Sequence, residues 1–306
     1  MSKIAFIYPG QGAQKAGMGA DFYENSEIAR YIFDQAGEEL DLDMKELCFE
    51  ENDRLDLTEY TQAAMVTTCL AMTRAVESMG LHADMTAGLS LGEYCAIAVA
   101  GGMCDLDAIR TVRSRGIFME HAAPEGSGAM SAVLGMDASV IENVLNGREG
   151  VSIANYNCPG QIVITGEAAA VAEAGTALKE AGARRVLPLK VSGPFHSPMM
   201  RPAGEELAKV FAGVSMNPLK VPYVANINAE VITDCGRIEG LLVDQVSGSV
   251  HWQQSVETML RESVDTFVEI GPGKTLTGFL RKIDKNVKAY HIGSWEEAVQ
   301  VCEELK

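Results

Sequence analysis

The sequence predicts an α/β fold in two parts. A large domain with a mainly parallel sheet takes residues 1-127 and 192-306, and a smaller subdomain is inserted at 128-191. Three observations carry this expectation. The chain opens on a buried strand, Lys3–Tyr8, and later repeats the strand–loop–helix unit from which parallel sheets are built. Between Gly128 and Val191 the order changes to strand, helix, strand, strand, helix, strand, the ferredoxin-like split unit. The length of 306 residues, with 47% hydrophobic and 22% charged, allows a core large enough for both parts.

The first strand stops at Pro9-Gly10-Gln11-Gly12, a turn composition. Residues 19–60 carry 14 Asp and Glu against Arg30, Lys45 and Arg54, a net of −11, and read as a solvated helical surface. Thr61 to Met79 lacks Gly and Pro and places Ala, Met, Leu and Val at helical spacing, so a largely buried helix is expected. Asp84–Leu89 is a short strand, followed by an Ala-rich helix that opens after Ser90. Asp105 is the expected N-cap of the next helix, which carries Arg110, Arg113 and Arg115. In the insert, strands fall at Ala129–Leu134, Val151–Tyr156, Gln161–Thr165 and Arg185–Val191. Its helices fall at Ser139–Asn146 and Ala168–Ala181. A last strand–loop–helix unit runs from Phe267–Ile270 through Gly271-Pro272-Gly273 to a helix from Lys274.

The net charge of −17 excludes broad nucleic-acid or anionic-membrane binding, which demands a basic footprint. Seven cysteines without C-x-x-C or H-E-x-x-H spacing argue against zinc and for buried thiols in a reducing cytoplasm. No signal-peptide pattern and no apolar run of membrane-spanning length occurs, so a cytoplasmic chain is expected. Two glycine-rich spots fail as nucleotide sites. Lys15 stands where a dinucleotide fingerprint needs Gly, and Val268 where a P-loop ending in Gly273-Lys274-Thr275 needs its first Gly.

Gly88-Leu89-Ser90-Leu91-Gly92 matches G-x-S-x-G between a strand and a helix, the context of a nucleophile elbow. That makes the large domain α/β-hydrolase-like. Such a turn exposes the Ser90 hydroxyl and aims helix N-terminal N–H groups at a developing oxyanion. A serine needs a base. Of His82, His121, His196, His251 and His291, the first candidate is His196. It sits in Val191-Ser192-Gly193-Pro194-Phe195-His196-Ser197-Pro198, whose Gly and prolines fix a side chain in place. His251 is the second candidate. By spacing alone, Arg110, Arg113 and Arg115 are ordinary solvated helix arginines.

These motifs together resemble the malonyl-CoA:acyl carrier protein transacylase family, the bacterial malonyltransferases of fatty acid synthesis. The resemblance rests on Tyr8-Pro9-Gly10-Gln11-Gly12, Gly88-Leu89-Ser90-Leu91-Gly92-Glu93-Tyr94, and Arg115-Gly116 with Met119. It continues through Asn155-Tyr156-Asn157-Cys158-Pro159-Gly160-Gln161, Pro194-Phe195-His196-Ser197 and Glu269-Ile270-Gly271-Pro272-Gly273-Lys274. It implies that Ser90 is the nucleophile and His196 the base, with backbone N–H groups of Gln11 and Leu91 as the oxyanion hole. It also implies that Arg115 binds the malonyl carboxylate and that Phe195 favours malonyl over methylmalonyl. In the family a backbone carbonyl orients the base, and the resemblance places it at His251. No bound cofactor or metal is implied; coenzyme A and the phosphopantetheine arm are substrates.

A stand-alone polyketide synthase acyltransferase shares these features. A serine hydrolase fits less well, because no H-G-G-G loop and no Asp-Gly dipeptide occurs. An acyl carrier protein is itself acidic, so docking requires a local basic face. Lys274, Arg281, Lys282, Lys285 and Lys288 form one candidate patch, and Arg184, Arg185 and Lys190 another.

Overall fold

An unbroken apolar run places β1 at Ile4–Tyr8, in the middle of a sheet and buried on both faces. The computed structural model describes residues 2–305. The other strands are β2 (Met85–Gly88), β3 (Gly128–Leu134), β4 (Val151–Cys158), β5 (Gln161–Glu167) and β6 (Arg185–Pro188). They continue with β7 (Tyr223–Val224), β8 (Val231–Ile232), β9 (Thr266–Ile270) and β10 (Lys288–Ile292). Six form a sheet of order β10-β9-β1-β2-β7-β8. All its pairings are parallel except that of β7 with β8.

Parallel pairing brings the carboxyl ends of β1, β2 and β9 to one edge. Tyr8 lies beside Gly88 and Ile7 beside Glu269. The loops that follow, Pro9–Gly12, Leu89–Leu91 and Gly271–Gly273, therefore converge there, where open α/β sheets place their sites. The 21-residue helix Thr58–Ser78 lies in the main core, with buried Ala, Met, Val, Cys and Leu around most of its surface. Gly116 lets the helix Asp105–His121 approach it closely, since a Cβ there would stand 2.8 Å from the Thr58 carbonyl oxygen.

The inserted strands form a second, wholly antiparallel sheet of order β4-β5-β3-β6. Its two faces have different partners. Val133, paired with Ile162 and Val186, packs with Ile141, Val171 and Leu178 into a core of the insert's own. One residue earlier, Ala132 and its partner Val163 face the main core instead. Alternation along a strand thus gives one sheet two jobs. The insert is stitched to the large domain at Val250, whose N–H donates to Ala154 O at 2.7 Å and whose O accepts from Tyr156 N at 2.9 Å.

The expected elements are present within a few residues. The N-cap at Asp105 is a correction. Cys104 caps this helix, its sulfur accepting from Asp107 N, while Arg74 takes the Asp105 carboxylate by hydrogen bonds of 2.9 and 2.7 Å. An ion pair with a neighbouring helix has displaced the cap. The acidic segment 19–60 forms three helices whose acids face outward over buried Phe22, Ile32, Phe33, Met44 and Leu47. Five of the seven cysteines are buried: Cys48, Cys69, Cys95, Cys158 and Cys302. Among the described residues no helix is long and apolar enough to cross a membrane.

Candidate active site

The turn after β2 cannot be made by larger residues. A Cβ on Gly88 would fall 2.0 Å from the Gly92 backbone, and one on Gly92 would fall 2.4 Å from Tyr8 O. This packing drives Ser90 into the left-handed region at φ +53°. His196 shares that uncommon conformation at φ +59°. Its loop is tied down by Ser197 Oγ donating to Pro194 O at 2.6 Å.

The two strained residues meet. Ser90 Oγ lies 2.8 Å from His196 Nε2. On the other side of the ring, Nδ1 lies 2.9 Å from Gln245 O and 3.2 Å from Gly248 O. Carbonyl oxygens only accept, so Nδ1 carries the proton and Nε2 presents a lone pair to the serine hydroxyl. Burial, and then the charge of Arg115, push the imidazole down to about 4, so the ring is neutral near pH 7.

The placement of the orienting carbonyl at His251 is therefore corrected. Gln245 and Gly248, at and just beyond the end of the helix Ile238–Ser247, supply it. The His251 carbonyl is engaged by Ser255 N and Oγ, both at 2.8 Å, because His251 opens the next helix. Nor is His251 a second base: its ring stacks on Tyr156, centroids 5.0 Å apart. His291 sits at Gly271 O and Glu297, while His82 and His121 are exposed.

Arg115 is 1% exposed, unlike a solvated helix arginine. Its Nη1 donates to Gln62 Oε1 at 2.8 Å, and its Nη2 to Gln245 Oε1 at 2.9 Å and Ser90 Oγ at 3.1 Å. Nε has no acceptor among the described residues. Its hydrogen-bond partners are neutral oxygens, so the guanidinium brings a positive charge to Ser90 with no carboxylate bonded to it. Burial works against that charge, which makes an arriving anion worth more here than at a surface.

Ser90 and His196 open onto a cavity of about 760 Å³, the size of a small-molecule site. Gln11, Leu91, Arg115 and Phe195 line it from the large domain, as do Asn155 and Asn157 from β4. The backbone N–H groups of Gln11 and Leu91 lie in turns without an acceptor among the described residues. Phe195 is packed into the main core at 6% exposure, which fixes its ring as a wall. Asn157 Oδ1 is buried and unpartnered.

The two basic clusters lie near one another. Lys282 Nζ donates to Gln161 Oε1 at 3.3 Å. Gln161 pairs with Leu134, which pairs with Arg185. Lys190 lines the cavity itself, whereas Lys274 is paired with Glu297 at 3.0 Å. Lys190, Arg184, Arg281, Lys285 and Lys288 are exposed.

Sequence reasoning missed Gln62, Glu93, Asn226 and Gln245. A carboxylate inside the otherwise apolar helix Gly92–Val99 was a readable signal. Asn226 and Gln245, more than 130 positions from Ser90, had none.

Residues 5–300 match the acyl transferase domain family. The chain is 43% identical over 311 residues to the malonyl CoA-acyl carrier protein transacylase of Bacillus subtilis (strain 168), covering 100% of this chain and 98% of that one. The crystal structure of the Clostridium perfringens malonyl CoA-acyl carrier protein transacylase superposes with a TM-score of 0.96 at 39% identity, covering 99% and 97% of the two chains. A malonyl-transacylase solved in complex with its type II PKS acyl-carrier protein superposes at 0.94 with 36% identity, covering 99% and 100%. The chain thus belongs to the acyl transferase family, and within it to the malonyl CoA-acyl carrier protein transacylases.

Proposed function

We propose that this chain transfers the malonyl group from malonyl-CoA to the phosphopantetheine thiol of an acyl carrier protein, through a malonyl ester on Ser90. One observation carries the reading: Ser90 Oγ has a neutral imidazole at 2.8 Å and a buried guanidinium at 3.1 Å. Nucleophile, base and a cation for the substrate's carboxylate meet at one atom.

His196 Nε2 takes the hydroxyl proton as Ser90 Oγ attacks the thioester carbonyl. The resulting oxyanion is held by the Gln11 and Leu91 N–H groups; one such donor is worth about 3 kcal/mol of barrier. The carbon–sulfur bond breaks and the CoA sulfur leaves with the proton from His196. The carrier's thiol then gives its proton to His196 and attacks the ester; the bond to Ser90 Oγ breaks, and His196 Nε2 returns that proton to the released serine oxygen. Arg115 holds the malonyl carboxylate throughout, with the Nη2 hydrogen that Ser90 Oγ accepts before the substrate arrives turned to it. Phe195 limits room at the substrate's second carbon. The chain's own side chains suffice for these steps, with CoA and the phosphopantetheine arm as substrates.

Two finer readings accompany this one. The strand orders support an α/β-hydrolase-like large domain, 1-127 and 192-306, with a ferredoxin-like insert at 128-191. The succession from Lys282 on Gln161, across Leu134, to Arg185, with Lys190 at the cavity, supports a basic rim that receives the acidic carrier. The double variant Arg185→Glu, Lys282→Glu is expected to raise the carrier KM about tenfold at low salt, fading at high salt. Unchanged carrier kinetics would remove the rim.

The test of the main reading is peptide mapping after incubation with malonyl-CoA. A malonyl adduct on Ser90, absent in Ser90→Ala, is expected; an adduct elsewhere would overturn it.

A further inference from the structure

Glu93 follows the elbow directly and is 1% exposed. A carboxylate is costly to bury there, and burial pushes it up to about 8. Its Oε2 accepts from Gln245 Nε2 at 2.7 Å and from Asn226 N at 3.2 Å. Those two residues hold much of the reacting machinery. Asn226 Oδ1 accepts from Ser90 N at 2.6 Å, and its Nδ2 donates to Gly88 O at 2.7 Å. Gln245 donates from Nε2 to Ser90 O at 2.9 Å, accepts from Arg115 through Oε1, and orients His196 with its carbonyl. The Glu93 carboxylate bonds to neither Ser90 nor His196 among the described residues, although the main-chain N–H of Glu93 donates to Ser90 O at 3.1 Å.

We propose that Glu93 is a positioning residue for the transfer. By accepting from Gln245 and Asn226 together, it holds the Ser90 turn, the carbonyl behind His196 and the amide behind Arg115 in one frame. The inference rests on the acyl-transfer reading above. It requires an acceptor oxygen at this point rather than a negative charge. One oxygen accepts both bonds, and the carbonyl oxygen of a protonated carboxyl does so equally well. An amide oxygen can therefore replace it, whereas a hydrocarbon of similar size cannot.

The test compares Glu93→Gln and Glu93→Leu with the native chain, using the rates at which malonyl-CoA and acetyl-CoA acylate Ser90. Glu93→Leu is expected to lower kcat for malonyl about 100-fold while KM moves less than threefold. Acetyl should fall only about tenfold, because loosening Arg115 costs only the substrate that carries a carboxylate. Glu93→Gln is expected to stay within fivefold of native on both. A merely structural role would lower both substrates in parallel and leave their ratio fixed. That result, native rates in Glu93→Leu, or a Glu93→Gln as impaired as Glu93→Leu would each overturn the proposal. If Glu93→Leu does not fold, Glu93→Ala removes the same acceptor with less bulk and leaves Gln245 and its contact with Arg115 in place. It should shift the malonyl-to-acetyl ratio the same way, and an unshifted ratio would overturn the proposal. A native chain that forms no Ser90 ester would refute the acyl-transfer reading instead.

Discussion

The two halves of the cavity are built differently. On the large-domain side the polar groups around Ser90 are bonded to one another: His196 to two carbonyls, Arg115 to two glutamines, and Gln245 and Asn226 to Glu93. On the insert side the wall includes Met130, Ala132, Val163 and Leu189, the amides of Asn155 and Asn157, the latter with a buried Oδ1 that has no partner, and at its edge Lys190. The difference separates two tasks. Preorganised groups carry out chemistry, because they need not rearrange as charge develops. An apolar wall with unspent amides suits a long, uncharged arm passing through. The insert has a core of its own behind its sheet, whereas Met130, Ala132 and Val163 on the cavity side pack with the main core.

Changes on the large-domain side should therefore alter rate and selectivity most. Arg115→Ala is expected to lower malonyl kcat/KM about 100-fold, roughly 2.7 kcal/mol, and to leave acetyl transfer equal or better. An unchanged malonyl-to-acetyl ratio, measured with both thioesters, would take the carboxylate role from Arg115. A smaller effect is expected in pH dependence. Burial and Arg115 hold His196 at about 4, so the acid limb of the acylation rate should lie well below the ordinary 6.5. Removing the Arg115 charge should move that limb upward; a native limb at 6.5 would contradict a buried, neutral base. The sign for stability follows from the same depression. Below about pH 6.5 the unfolded ring takes a proton that the folded ring refuses, so stability falls as pH drops towards 4.

Much of this was legible in the sequence, for physical reasons. Gly88 and Gly92 announce the elbow because no larger residue fits within 3 Å of the neighbouring backbone. The His196 loop shows its rigidity through Gly193, Pro194 and Pro198. The run Ala129–Leu134 is readable as a strand, while its two differently buried faces emerge only when the sheet packs. Arg115 was not separable from Arg110 and Arg113 by spacing, since its burial depends on how closely two helices approach at Gly116. The orienting carbonyl was misplaced at His251 because a backbone carbonyl has no residue signature. Which one faces Nδ1 depends on where the helix Ile238–Ser247 ends. Asn226 and Gln245 were missed because only the tertiary fold brings them to Ser90.

The central claim is that the malonyl group rests on Ser90 between its two carriers. It is tested most directly by isolating the chain after reaction with labelled malonyl-CoA, removing all CoA, and adding holo acyl carrier protein. Label is expected on Ser90 alone before the carrier is added, and on the carrier's thiol afterwards. Label that never attaches to Ser90, or that reaches the carrier only while malonyl-CoA is present, would contradict it.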